Sequence, residues 1–144
     1  MENLDRLCAE YGYKFAEEIK KALNSDAKKA ERLVTKALGV LQEQGLYAFA
    51  LFCESRGSTE KEGAEKMKEI TTELLKDKLS LISNADLLGE IRKENGLASR
   101  LDDLLVAIQV LEKSLIYARY HAKASANLEE KANNKDSKDS EVHP

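Results

Sequence analysis

Eight consecutive apolar residues, Leu46 to Cys53, constrain this chain more than any other stretch, because they sit in a sequence that is otherwise 34% charged. The run Leu-Tyr-Ala-Phe-Ala-Leu-Phe-Cys has no polar face, and an element apolar all round is stable only when other elements cover it. Ordering a residue costs about 1–2 kcal/mol of backbone entropy, while fully burying a large side chain returns about 1.5–3 kcal/mol. The segment therefore gains from ordering only when it is enclosed.

Periodicity alone does not separate a buried strand from a buried helix over eight residues. Gly45 before the run and Gly57 after Ser55-Arg56 both fit helix C-terminal positions. Nothing else in the chain alternates with period two, so a strand here lacks a partner for its backbone donors and acceptors. The reading is a short buried central helix. With 144 residues, one proline and long Ala/Leu/Glu/Lys runs, the fold class is all-α: a single-domain bundle of about five to six helices around that segment.

The flanking elements follow from spacing. Leu4, Leu7, Cys8, Tyr11, Phe15, Ile19 and Leu23 recur at three and four and define a first helix, locally weakened by Gly12. Asn24-Ser25-Asp26 supplies a turn and an N-cap for a second, lined by Ala30, Leu33, Val34, Ala37, Leu38 and Leu41 and ending near Gln44. After the apolar run, Thr59 and Glu62 have capping-box spacing for a helix striped by Met67, Ile70, Leu74 and Leu75, with Gly63 loosening its first turn. Asn84 is placed to cap a short helix over 85–93, closed by Asn95-Gly96. Ser99 opens the last helix. Its seam of Leu101, Leu104, Ile108, Leu111, Leu115, Ala118 and Ala122 shrinks toward alanine, which permits another backbone to come close. Asp102 and Asp103 at its start, with Arg119 and Lys123 at its end, match the helix dipole. Residues 1–124 form the bundle, and 125–144, rich in Asn, Ser, Asp, Lys and Glu, read as a disordered polar C-terminal tail.

The formal net charge is −3, so an anionic partner must be held by a local patch. Cys8 and Cys53 are expected as buried, reduced thiols. The acidic start lacks a signal peptide and no run has the length of a membrane span, so a cytoplasmic protein without membrane contact is expected. Only His121 and His143 are available for acid–base chemistry, and His121 is far better read as packing or surface. Glu-x-x-His pairs, P-loops, dinucleotide fingerprints and EF-hand loops are missing, so neither an enzyme, a metal site nor a cofactor is expected.

Binding through helix faces is what remains. Tyr117-Ala118-Arg119-Tyr120-His121-Ala122-Lys123-Ala124 interleaves aromatics with cations, a combination that stacks bases and neutralises phosphates or, alternatively, ends a dipole-matched helix packed on the first. A second basic group, Lys20, Lys21, Lys28, Lys29, Arg32 and Lys36, is mixed with Glu17, Glu18, Asp26 and Glu31 and reads as a solvated face.

Taken in order, Lys14-Phe15-Ala16, Gly45-Leu46 leading into Ala48-Phe49-Ala50-Leu51-Phe52 and Ser55-Arg56-Gly57, and the closing segment 117–124 resemble the small subunit of the type III-B CRISPR effector, the Cmr complex. Over residues 10–124, Tyr117 and Arg119 match an aromatic and a basic position of that pattern. Tyr120 stands where a second basic residue is common, and His121 where Phe is. The resemblance implies a non-catalytic helical bundle for antiviral defence. Its partners would be the other Cmr subunits, copies of itself, and guide RNA and single-stranded target RNA through the complex. Matching positions imply Lys14, Arg56, Arg119 and Lys123 as RNA-backbone contacts, expected on one side. The contrasting expectation is a helical protein–protein adaptor or oligomeric scaffold without nucleic acid, using the edge Leu105, Val106, Val110, Ile116 and Tyr117 as its seam.

Overall fold

The computed structural model describes the backbone of residues 3–142 and the side chains of residues 3–135; His143 lies outside the described residues. It is all-helical over them. Helices α1 (Leu4–Ala22), α2 (Ala27–Gln44), α3 (Leu46–Ser55), α4 (Lys61–Glu73), α5 (Leu87–Arg92) and α6 (Leu101–Val142) pack into one bundle.

Local chemistry fixes the first three elements. Asn3 caps α1 by accepting from the backbone N–H groups of Asp5 and Arg6. Asn24 and Ser25 take positive φ, and Asp26 then caps α2 through the Lys29 N–H at 3.1 Å. Gly45, at φ +94°, closes α2 with its N–H on Leu41 O and leads directly into α3.

The apolar run is helical, as its flanks implied. Leu46, Phe49, Ala50 and Cys53 are buried, but Leu51 is 46% exposed and Tyr47, Ala48 and Phe52 are half-buried. Enclosure on every side therefore fails at Leu51. The reason is the number of neighbours: α3 packs on α2, α4 and α5, and three flanks leave one strip of the cylinder uncovered.

Helix α6 carries the bundle. It lies parallel to α1, since Asp5 pairs with Lys113, Gly12 faces Ser114 and Ala118, and Lys20 reaches Ser125 and Glu129. On its other side α2 runs antiparallel, with Gln42 donating to Glu112 at 3.3 Å. Two partners widen the buried stripe to Ala107, Val110, Leu111, Ser114, Leu115, Ala118, Ala122 and Ala126. The expected seam is corrected at its start, where Leu101 is 67% exposed and Leu104 and Ile108 are half-buried.

Three expected caps also move. Thr59 belongs to a 3₁₀ turn, Ser58–Glu60, and α4 has no side-chain cap. Asp86, not Asn84, caps α5 through the Gly89 N–H; the Asn84 carbonyl accepts from the Asp86 N–H and its amide donates to Glu90. Ser99 lies in another 3₁₀ turn and donates to Gly96 O at 2.8 Å, while Arg100 precedes α6 and holds Asp103 and Leu81 O. Gly57 is extended at φ −121°, so α3 ends on Arg56 without a left-handed residue.

Two glycines turn out to be packing positions. A Cβ on Gly12 would meet Tyr117 Cβ at 2.5 Å and Ser114 O at 3.0 Å. The close approach allowed by the alanine seam thus occurs against α1. A Cβ on Gly63 would meet Leu23 and Leu33 side-chain carbons at 2.9 Å, so Gly63 docks α4 onto the α1–α2 corner. Where α4 ends, a π-turn over Leu74–Lys78 adds a residue to the turn and lets Leu74 and Leu75 both face inward.

The expected boundary at residue 124 is crossed without interruption. No glycine or proline occurs from Leu101 to Val142, and a helix already nucleated loses no more than about 0.7 kcal/mol at each Asn, Ser or Asp it passes through. Ala126 is buried, and Lys20 holds Ser125 at 3.0 Å and Glu129 at 3.4 Å. Beyond Ala126 no described side chain is buried, which is the part of the compositional argument that concerns packing. At 42 residues α6 is about 63 Å long.

Candidate nucleic-acid interface on α1 and α6

The parallel docking of α6 on α1 brings aromatic residues of both helices to one surface. Tyr117 is held from two sides: its Cβ lies against Gly12, and its hydroxyl donates to Asp5 Oδ1 at 2.9 Å. Asp5 also takes the Lys113 ammonium. Those hydrogen bonds and charges, Lys113 foremost and then Tyr117, hold its carboxyl below the usual range. One turn further along, His121 meets Tyr13 edge to face, with ring centroids 5.7 Å apart at 81°. Ala9, Tyr117, Tyr120, His121 and Ala124 line an open, largely apolar cleft of about 330 Å³. Tyr13 and Tyr120 are 56% and 60% exposed, a high figure for side chains of this size.

The four sequence-predicted contacts differ in what holds them. Lys14 Nζ sits 2.6 Å from Glu73 Oε2 and 5.5 Å from the Tyr11 ring, tying α1 to the end of α4. Arg56 stacks its guanidinium on Phe52 at 4.3 Å and approaches Glu60 at 4.0 Å, while its Nε is buried without a partner. Both are engaged in the fold. Arg119 and Lys123 instead stand one turn apart on α6, and among the described residues neither is in an ion pair. The Arg119 guanidinium lies 5.5 Å from the centroid of the Tyr120 ring. Sequence reasoning missed Tyr13 as a partner of segment 117–124; its place one helical turn after Ala9 becomes meaningful only once α1 and α6 are known to run parallel.

Half of the second basic group is paired, while Lys28, Lys29 and Arg32 are in no ion pair among the described residues. Lys20 is on Glu129, Lys21 is 3.8 Å from Glu18, and Lys36 is 3.1 Å from Glu60. The secondary apolar edge of α6 contracts: Val110 is buried and Ile116 and Tyr117 pack on the core, leaving Leu101, Leu105 and Val106 outward.

Both cysteines are free and buried. Burial raises the Cys8 thiol pKa, and Cys8 Sγ donates to Val110 O at 3.6 Å; burial pushes Cys53 up to about 12. Tyr11 is likewise raised, by burial first and by Glu73 second. No group of three His, Cys, Asp or Glu side chains among the described residues is placed to hold a metal ion. No described helix is long and apolar enough to cross a membrane.

The fold defines the chain as an all-helical bundle, and comparison with known proteins adds nothing to that class. No family model matches the chain, and neither a curated protein nor a solved structure does.

Proposed function

We propose that this protein is a non-catalytic small subunit of a type III-B CRISPR (Cmr) RNA-guided effector, packing along the guide-bearing backbone and helping to hold single-stranded target RNA. The resemblance of residues 10–124 to that family motivates the reading. The observation that carries it is the placement of Arg119 and Lys123, cations without carboxylate partners among the described residues, beside the aromatics of α6. In a guided complex base pairing reads sequence, so a subunit of this kind needs only a local basic and aromatic strip. Lys14 and Arg56 serve in this reading to brace the fold.

The test is target-RNA binding by the reconstituted complex as a function of salt. Reversing Arg119 and Lys123 to Glu should weaken binding and flatten the slope of log K against log salt by about 1.4, from roughly 0.7 per lost single-strand phosphate contact. An unchanged slope sinks the assignment.

A second reading, a protein–protein adaptor or oligomeric scaffold, is favoured by one observation: Leu101, Leu105 and Val106 form an outward apolar edge at the start of α6. Sedimentation of the full chain separates them, since that reading requires a stable oligomer abolished by Leu101→Glu and Leu105→Glu.

A further inference from the structure

We infer that the cleft between α1 and α6 is a stacking pocket for one unpaired nucleobase, with the adjoining phosphates carried by Arg119 and Lys123. This deepens the RNA-binding reading and rests on it. Four features converge. The walls are the aromatic rings of Tyr117, Tyr120 and His121, with Tyr13 backing His121 edge to face, and Ala9 and Ala124 add only methyl groups, which leave room for a flat ring. Two of the walls are set before any ligand arrives: Tyr117 is fixed by Asp5 and Gly12, and His121 rests on Tyr13. At about 330 Å³ the cleft lies at the low end of small-molecule sites, roughly 300–1,000 Å³, which suits a single ring system rather than a docked helix.

Charge supplies the fourth feature. The α1 bank carries Glu10 and Glu17 beside Ala9 and Tyr13, and Asp5 is already satisfied by Lys113 and Tyr117. The α6 bank carries Arg119 over Tyr120, with Lys123 one turn on. With Arg6 the one cation of the α1 bank among the described residues, set a turn before Ala9, the balance of charge favours a nucleotide with its base in the cleft and its phosphate toward α6. The aromatics have no preference among bases, because every base has a π face, and that suits a strand whose sequence is read elsewhere.

The experiment is an NMR titration of the full chain with adenosine monophosphate and, separately, with inorganic phosphate, following the ring resonances of Tyr13, Tyr120 and His121. Saturable ring shifts with the nucleotide but not with phosphate are expected. They should be preserved in Tyr120→Phe and weakened about tenfold in apparent affinity in Tyr120→Ala. Absence of ring shifts up to tens of millimolar nucleotide overturns the pocket, as do equal shifts with phosphate alone or an unaffected Tyr120→Ala. Ring shifts that instead grow with protein concentration and accompany a dimer in sedimentation assign the cleft to a second copy and overturn it too. None of these depends on the salt slope of the assembled complex. The pocket can thus fail while the backbone contacts of Arg119 and Lys123 stand, or the reverse.

Discussion

Helices α3 and α6 contrast in a way that composition alone would misjudge. α3 is short and almost wholly apolar, yet leaves Leu51 in solvent; α6 is long and mixed, yet buries an unbroken stripe from Ala107 to Ala126. The difference is in coverage. α6 is gripped between α1 and α2 along much of its length, whereas α3 meets only the flanks of α2, α4 and α5. Burial is decided by how many neighbours reach a face, and the side chains left outside a well-gripped helix are the ones free to meet a partner.

The largest effect should separate the two sides of α3. Phe49 is fully buried, so Phe49→Ala should cost about 3–5 kcal/mol, whereas Leu51→Ala should cost under about 1 kcal/mol in denaturant unfolding. Equal costs would mean that α3 is enclosed after all. On the α6 side the tightest point is Gly12, where even a methyl collides with Tyr117 Cβ. Gly12→Ala should destabilise by about 1–3 kcal/mol through overpacking, only partly offset by the ~1 kcal/mol alanine adds to a helix interior. A stabilised Gly12→Ala would show that the α1–α6 contact yields easily.

The smallest effect concerns the corner that α5 builds beside α3. Glu90 is buried there and accepts from Ser83, Asn84 and Lys93. The Lys93 hydrogen bond chiefly, with those from Ser83 and against the opposing effect of burial, holds its carboxyl below the ordinary glutamate pKa. A lowered folded pKa contributes stability that is complete above the unfolded value, about 4.3, and is lost as pH falls through the folded one. Melting temperature measured from neutral to acid pH should therefore drop less steeply in Glu90→Gln than in the wild type. Parallel curves would remove Glu90 from that role.

What could be read from sequence was what short-range chemistry decides. The Asn24-Ser25-Asp26 turn and Gly45 each act on the residues next to them, and α1 ends, α2 begins and ends, and α3 begins where these imply. Caps went astray at Thr59, Asn84 and Ser99, where several polar residues compete within a few positions and tertiary contacts choose among them. Gly12 and Gly63 looked like weak points of helices, because their value lies in a partner the local pattern does not name. The same limit applied to the candidate site. The aromatic and cationic residues of 117–124 were visible at once, but Tyr13 joins them only through the parallel crossing, and Lys14 and Arg56 are drawn away by Glu73 and Phe52.

The most direct test of the account is hydroxyl-radical footprinting of the chain reconstituted with the Cmr subunits proposed as its partners, with and without target RNA. Protection of Tyr13, Tyr120 and His121 on adding RNA, with Leu101 and Leu105 unaffected by it, is the predicted result. Tyr13, Tyr120 and His121 reacting equally with and without RNA, while Leu101 and Leu105 become protected on assembly, would contradict it and give the working surface to the apolar start of α6.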